Sequence, residues 1–260
     1  MEFFRYLKSE CYRTAHRKVL YGFTGGCILV IFLLLLFCVF SNQGIDEAYA
    51  RLHLEDLLPL LSSMVPTLGM YAVLFTAHVA FGDEHKQQTL KNSVSSGVPR
   101  GTIYFGKLTT AFLYSVLVLA AIFLAVFGLG ALMLGVWDGE DFLMNLRGLF
   151  WSMLGSLPLW LGALSLAILL FTRIRSGAGA SFLYLGAVTL IGWMLSLLEL
   201  IGYSVFGTIY KWLISTQLGN ICYVTGFDSQ LLAGAWISGL LYTLVFSAAG
   251  WLMFRKMEIK

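Results

Sequence analysis

Few residues in this chain could do chemistry, and they are scattered. Gly101-Thr-Ile-Tyr-Phe-Gly106-Lys107-Leu108 nearly spells the phosphate-binding loop GxxxxGK[ST]. That loop needs a hydroxyl after the lysine to hold magnesium and a strand before the first glycine. Leu108 takes the hydroxyl's place and no strand-like run precedes Gly101, so any nucleotide chemistry is expected on another chain. His78 could relay protons, but no intramembrane acid accompanies it, and an interfacial hydrogen-bonding role is the expectation. Cys11, Cys27, Cys38 and Cys222 show no CxxC spacing, which argues against a metal or redox site. Cys38 and Cys222 would both lie near one face, yet unpaired apolar filler is the preferred reading. No HExxH and no paired intramembrane carboxylates occur. The chain is therefore expected to have no catalytic residue, to bind no metal and to hold no cofactor of its own.

Composition says what must position these residues. The 260-residue chain is 58% hydrophobic and 12% charged, with a mean hydropathy of +0.81. Soluble domains carry roughly 25% charged residues, so most of this surface is predicted to face lipid. The basic residues form no dense run, which excludes a nucleic-acid partner.

Residues 1–18 are predicted to form an amphipathic helix lying in the membrane interface. Phe3, Phe4, Leu7, Cys11, Ala15 and Val19 recur at helical spacing, while Arg5, Lys8, Arg13, Arg17 and Lys18 take much of the rest and suit anionic headgroups. The basic stretch is long and periodic and the apolar run after it exceeds that of a signal peptide, so this segment is expected to be retained.

Six spans follow: about Val19–Phe40, Leu57–Ala80 with Pro59 and Pro66, Leu108–Val136, Leu149–Phe171 with Pro158, Ala178–Leu198, and Leu231–Phe254. Residues 199–230 are aromatic and apolar but broken by Gly202, Gly207, Lys211 and Gly219. They are predicted to be outer interfacial or re-entrant helices, with two short extra spans, which would also keep both ends on one side, as the alternative. With both ends inside, all of the 17 Lys and Arg except Arg51, Arg147 and Lys211 fall on the inner side, as the positive-inside rule requires. The fold expected is all-α and polytopic, a single membrane domain over residues 1–260.

The longest polar run, 81–107, lies between spans 2 and 3 on the predicted cytoplasmic side. Asp83 or Glu84 can start a short helix there, since a carboxylate suits a helix N-terminus. That helix would pass through Thr89, Leu90 and Lys91 and stop near Ser95–Gly97, before Pro99. Leu90 and Val94, four apart, can dock in a partner's groove, with Lys86, Lys91 and Asn92 at its rim; an ordinary solvated loop fits the residues equally well.

At these residues the sequence resembles the membrane subunits of ABC-2 type transporters. The likeness rests on the basic, aromatic helix 1–18, on Glu84, on Thr89-Leu90-Lys91, on Ser96-Gly97-Val98-Pro99-Arg100, and on Tyr104-Phe105-Gly106-Lys107 leading into span 3. The resemblance implies that 81–107 is a coupling helix gripped by a separate ATPase subunit, with Asp83, Glu84, Lys86, Thr89, Leu90, Lys91, Val94 and Arg100 at that contact. It also implies a second copy or a homologous permease subunit, with ATP and magnesium held by the ATPase. Members of this size resemble exporters of amphipathic peptides such as lantibiotics, bacitracin and phenol-soluble modulins, in the bacterial cytoplasmic membrane. The alternatives are a secondary transporter or channel, which would want more ionisable groups inside the bundle, and a non-transporting anchor.

Overall fold

The computed structural model describes residues 2–43, 52–82, 95, 97–135, 139–174, 176–221 and 228–257. Among them there are helices and no strand. Helix α1 (Glu2–Ala15) is followed by α2 (Lys18–Asn42), α3 (Leu54–Ala77) with a π-helical turn at His78–Gly82, and α4 (Arg100–Leu134). Then come α5 (Gly139–Arg173), α6 (Gly177–Leu185), a second π-turn (Gly186–Leu190) and α7 (Ile191–Leu200). Two short helices, α8 (Ser204–Trp212) and α9 (Ile214–Ile221), lead to α10 (Ser229–Lys256). Six of these helical stretches are long and apolar enough to cross a bilayer: α2, α3 with its π-turn, α4, α5, α6 through α7, and α10.

The six-span pattern read from sequence is the one observed, but several boundaries differ. Helix α5 starts at Gly139, ten residues before the expected Leu149, because the backbone pattern of a helix need not stop where the lipid stops. Helix α4 starts at Arg100 rather than Leu108, so the last part of the polar stretch 81–107 belongs to span 3. Its first two residues close the π-turn of span 2.

Lipid tails are as apolar as leucine, so helices in a bilayer associate through close packing and internal polar contacts. Helix α5 supplies both and is the axis of the bundle. Leu159, Ala163, Leu164, Ala167, Ile168 and Phe171 are fully buried along it. The Trp160 indole N–H donates to the Pro66 carbonyl of α3 at 2.8 Å. On the opposite side α5 meets α10 so closely that a Cβ on Gly239 would lie 2.5 Å from the Pro158 carbonyl carbon. Only glycine permits that backbone approach. The Ser165 and Ser247 hydroxyls meet across the same seam at 3.1 Å, and the Tyr184 hydroxyl of α6 donates to the Met70 carbonyl of α3 at 3.0 Å.

Candidate functional site at the basic end

Helix α1 forms because apolar and basic residues alternate at helical spacing from Phe3 onward. It stops at Ala15, and after the His16–Arg17 break α2 begins at Lys18. The stripe that α1 packs against the protein overlaps the apolar stripe read from sequence only in part. Phe4 is 73% exposed and Val19 belongs to α2, also exposed, whereas Glu10 and Thr14 are buried. Phe3 and Leu7 are half-buried, Arg5 and Lys8 face outward, and Arg13 and Arg17 are half-buried.

The stripe packs on the first turns of α4. A Cβ on Gly106 would lie 2.7 Å from the Tyr6 ring, so the glycine is what lets α1 lie this close. The Tyr114 hydroxyl donates to the Cys11 carbonyl at 2.8 Å, and the Cys11 sulfur meets the Thr110 hydroxyl at 3.9 Å. Between the helices lies an ion pair: Lys107 Nζ is 3.2 Å from Glu10 Oε1, with side-chain exposures of 0% and 6%. Glu10 also accepts from the Tyr6 hydroxyl at 2.6 Å and from Arg13 Nη2 at 2.7 Å. Lys107 donates further to the Ala80 carbonyl in the π-turn of span 2 at 3.4 Å and sits 5.8 Å above the Phe81 ring. Burial alone would raise the Glu10 carboxyl. Lys107, Arg13 and the hydrogen bonds from Tyr6 and Lys107 outweigh it and hold the group below its ordinary value of 4.5.

This geometry disposes of the phosphate-loop likeness. Gly101–Leu108 is continuous helix, and Lys107 is committed to Glu10. Neither Glu10 nor Lys107 was among the sequence-derived site residues. The available signal was Glu10 itself, a carboxylate three and four residues after Leu7 and Tyr6 on the face that should have been apolar.

Of the expected contact residues, Asp83, Glu84, Lys86, Thr89, Leu90, Lys91 and Val94 lie outside the described residues. Arg100 is described: it donates to the carbonyl of Arg255 and, at 3.1 Å, to that of Met257. It thereby caps the end of α10 with a cation, where the helix dipole favours one. His78 opens the π-turn, with its ring edge-on to Phe171 of α5 at 5.4 Å. Added Cβ atoms on Gly82 and Gly177 would meet that ring at 2.9 and 2.8 Å, so it fills a slot between spans 2, 4 and 5.

Segment 83–94 therefore leaves from the π-turn and returns through Gly97, at φ +81°, into α4. The helices on either side of it, span 2 at its π-turn and α4, are bonded to each other and to α1 by Lys107, and α4 is bonded to α10 by Arg100.

Six apolar spans, a helix docked across one end and a polar segment joined to that dock define a multi-pass α-helical membrane protein. Residues 6–196 match the family described as ABC-2 family transporter protein, and the chain belongs to that family. The family is a membrane component with no ATPase domain of its own and implies an ABC ATPase as partner. No individual curated protein matches the chain. The matched region includes Glu10 and Lys107 and ends before α8.

Proposed function

We propose that this chain is the transmembrane subunit of an ATP-driven exporter of amphipathic peptides, paired with a separate nucleotide-binding subunit that grips residues 83–97. The observation that carries the reading is the junction at the basic end, on a chain of the ABC-2 family. A polar segment emerges between spans 2 and 3, and both of its roots are bonded to other helices. Pulling on it would move the ends of spans 2 and 3, α1 and α10 together. ATP and magnesium belong to the ATPase. The basic face of α1, with Arg5 and Lys8, suits anionic headgroups of the inner leaflet of a bacterial plasma membrane, with both termini cytoplasmic. A second copy or a homologous permease would complete the membrane half. The peptide class rests on resemblance and on the exposed apolar and aromatic surface near Tyr203 and Trp212.

The test is co-expression with a candidate ATPase, comparing wild type with Glu84→Ala and Leu90→Asp. Co-purification of the two chains, with peptide-stimulated hydrolysis lost in both variants, is the expected outcome. If no ATPase associates, or if both variants hydrolyse as wild type does, the coupling reading fails and a channel or anchor replaces it.

A further inference from the structure

At the end of the bundle away from the chain termini, α8 and α9 turn back into the protein. Gly202, at φ +112°, reverses the chain after α7, a conformation that favours glycine. Helix α8 then runs back along α7: Gly207 faces the Glu199 carboxylate, and Gly192 faces Leu213 and Ser215 at the hairpin's tip. Gly192 is eight residues before Leu200, so the tip lies about 12 Å inside the end of span 5 at about 1.5 Å per residue. A second ruler agrees. The Tyr242 hydroxyl donates to the Trp212 carbonyl at 2.7 Å, and Tyr242 stands midway along the 28-residue α10.

Backbone at that depth must find its partners inside the protein, and the carbonyls of the tip do. Leu213 N–H donates to Tyr210 O at 3.2 Å and Gln217 N–H to Leu213 O at 2.9 Å. The Gln217 side chain donates to Lys211 O at 2.8 Å, and Tyr242 completes the set at Trp212 O. The tip carbonyls are therefore satisfied without water, and one charged group beside them is not. Lys211 is exposed on the last turn of α8 and makes no ion pair among the described residues. Trp212 beside it is 53% exposed. An ionised side chain below the membrane surface is costly unless it meets water or a counter-charge. A hairpin that satisfies every tip carbonyl yet keeps one cation there is presenting that cation.

We infer that Lys211 faces a water-filled recess open to the side opposite the termini and binds an oxyanion there, a phosphate or a carboxylate. The anion comes either from a lipid headgroup or from a soluble molecule. Lys211 lies outside the residues matched to the family. The inference requires the chain to span a bilayer but does not rest on peptide export, so loss of ATPase pairing would leave its test unchanged.

The test uses the full chain in phosphatidylcholine vesicles, with Trp212→Cys introduced after the four native cysteines are replaced by alanine. Labelling rates are measured with two membrane-impermeant methanethiosulfonates, the anionic ethylsulfonate and the cationic ethyltrimethylammonium, in the Lys211 and Lys211→Met backgrounds. Both reagents are expected to react. Lys211→Met should lower the anion-to-cation rate ratio about sevenfold, since a unit charge about 7 Å away in water shifts each rate nearly threefold in opposite senses. Lys211→Arg should preserve the ratio. If Trp212→Cys does not elute as native protein, Ser215→Cys reports from the same tip. Slowing of the anionic reagent by added phosphatidylglycerol assigns the site to a lipid headgroup, and slowing by inorganic phosphate assigns it to a soluble anion. No labelling by either reagent, a ratio indifferent to Lys211, or competition by neither anion overturns the inference.

Discussion

The middle of α5 and the Glu10–Lys107 junction are both sealed from the surface, but different forces hold them. Helix α5 buries 67% of its most apolar stretch against its neighbours, whereas α2 buries 6% of its own. That seal is made by shape: glycine where backbones touch, Trp160 seated on α3, and small hydroxyls across the α10 seam. At the basic end a buried charge pair is added to the seal, with Lys107 over the Phe81 ring and that ring packed against Tyr104 and Phe254. Shape is indifferent to pH and unforgiving of added atoms. A buried ion pair tolerates neighbours but fails when either partner is removed, because the survivor is left charged in a dry site.

The contrast can be broken hardest at the junction. Glu10→Ala strands the Lys107 ammonium, which has no exposure, and should cost about 3–5 kcal/mol, read as a fall in melting temperature of the detergent-solubilised chain. The double variant Glu10→Leu with Lys107→Met should recover most of that loss. A double variant as unstable as the single one would show that the pair is held by more than charge balance.

At α5 the largest effect should come from Gly239→Ala. The new Cβ meets backbone, not a movable side chain, so the cost should be about 1–3 kcal/mol or more, measured in the same melt. Trp160→Phe removes the indole bond to the Pro66 carbonyl, which keeps its place in the α3 backbone ladder, for about 0.5–1.5 kcal/mol.

Acid sharpens the comparison. The Glu10 carboxyl is depressed in the folded state, so its stabilisation is complete above its ordinary value of 4.5 and is lost as pH falls from there through the lower folded value. Wild type should lose melting temperature over that range. The double variant Glu10→Leu with Lys107→Met should lose less, and Trp160→Phe should shift in parallel with wild type. Equal acid sensitivity in wild type and the double variant would remove Glu10 from the account. The smallest effect belongs to Arg100→Ala, whose two carbonyl bonds lie at the surface end of α10: at most about 1 kcal/mol, checked by the same melt.

Much of this was legible in the sequence. The six spans could be read because length and charge-free composition are local properties. The helical character of residues 2–15 followed from spacing alone. The starts of α4 and α5 were misplaced, since polar residues near a span were taken to end it when the helix continues past them. Glu10 and Lys107 were missed as a pair because 97 positions separate them, and no local pattern announces a partner that far away. Phe4, on the apolar stripe read from spacing, faces outward, as a phenylalanine of a protein in a bilayer can at little cost.

The sequence by itself determined that this chain crosses a membrane six times, that its positive charge gathers largely on one side, and that it lacks a working phosphate loop. Those follow from side-chain transfer energies and from residue identity at fixed spacing, which need no neighbours. Only the tertiary structure decided that Lys107, the false phosphate-loop lysine, pairs with a buried glutamate. Tertiary structure alone also made α5 the axis of the bundle and carried Lys211 inward on a folded-back hairpin. Each depends on which helices touch and at what depth, and helices of nearly equal hydropathy carry no local record of their partners.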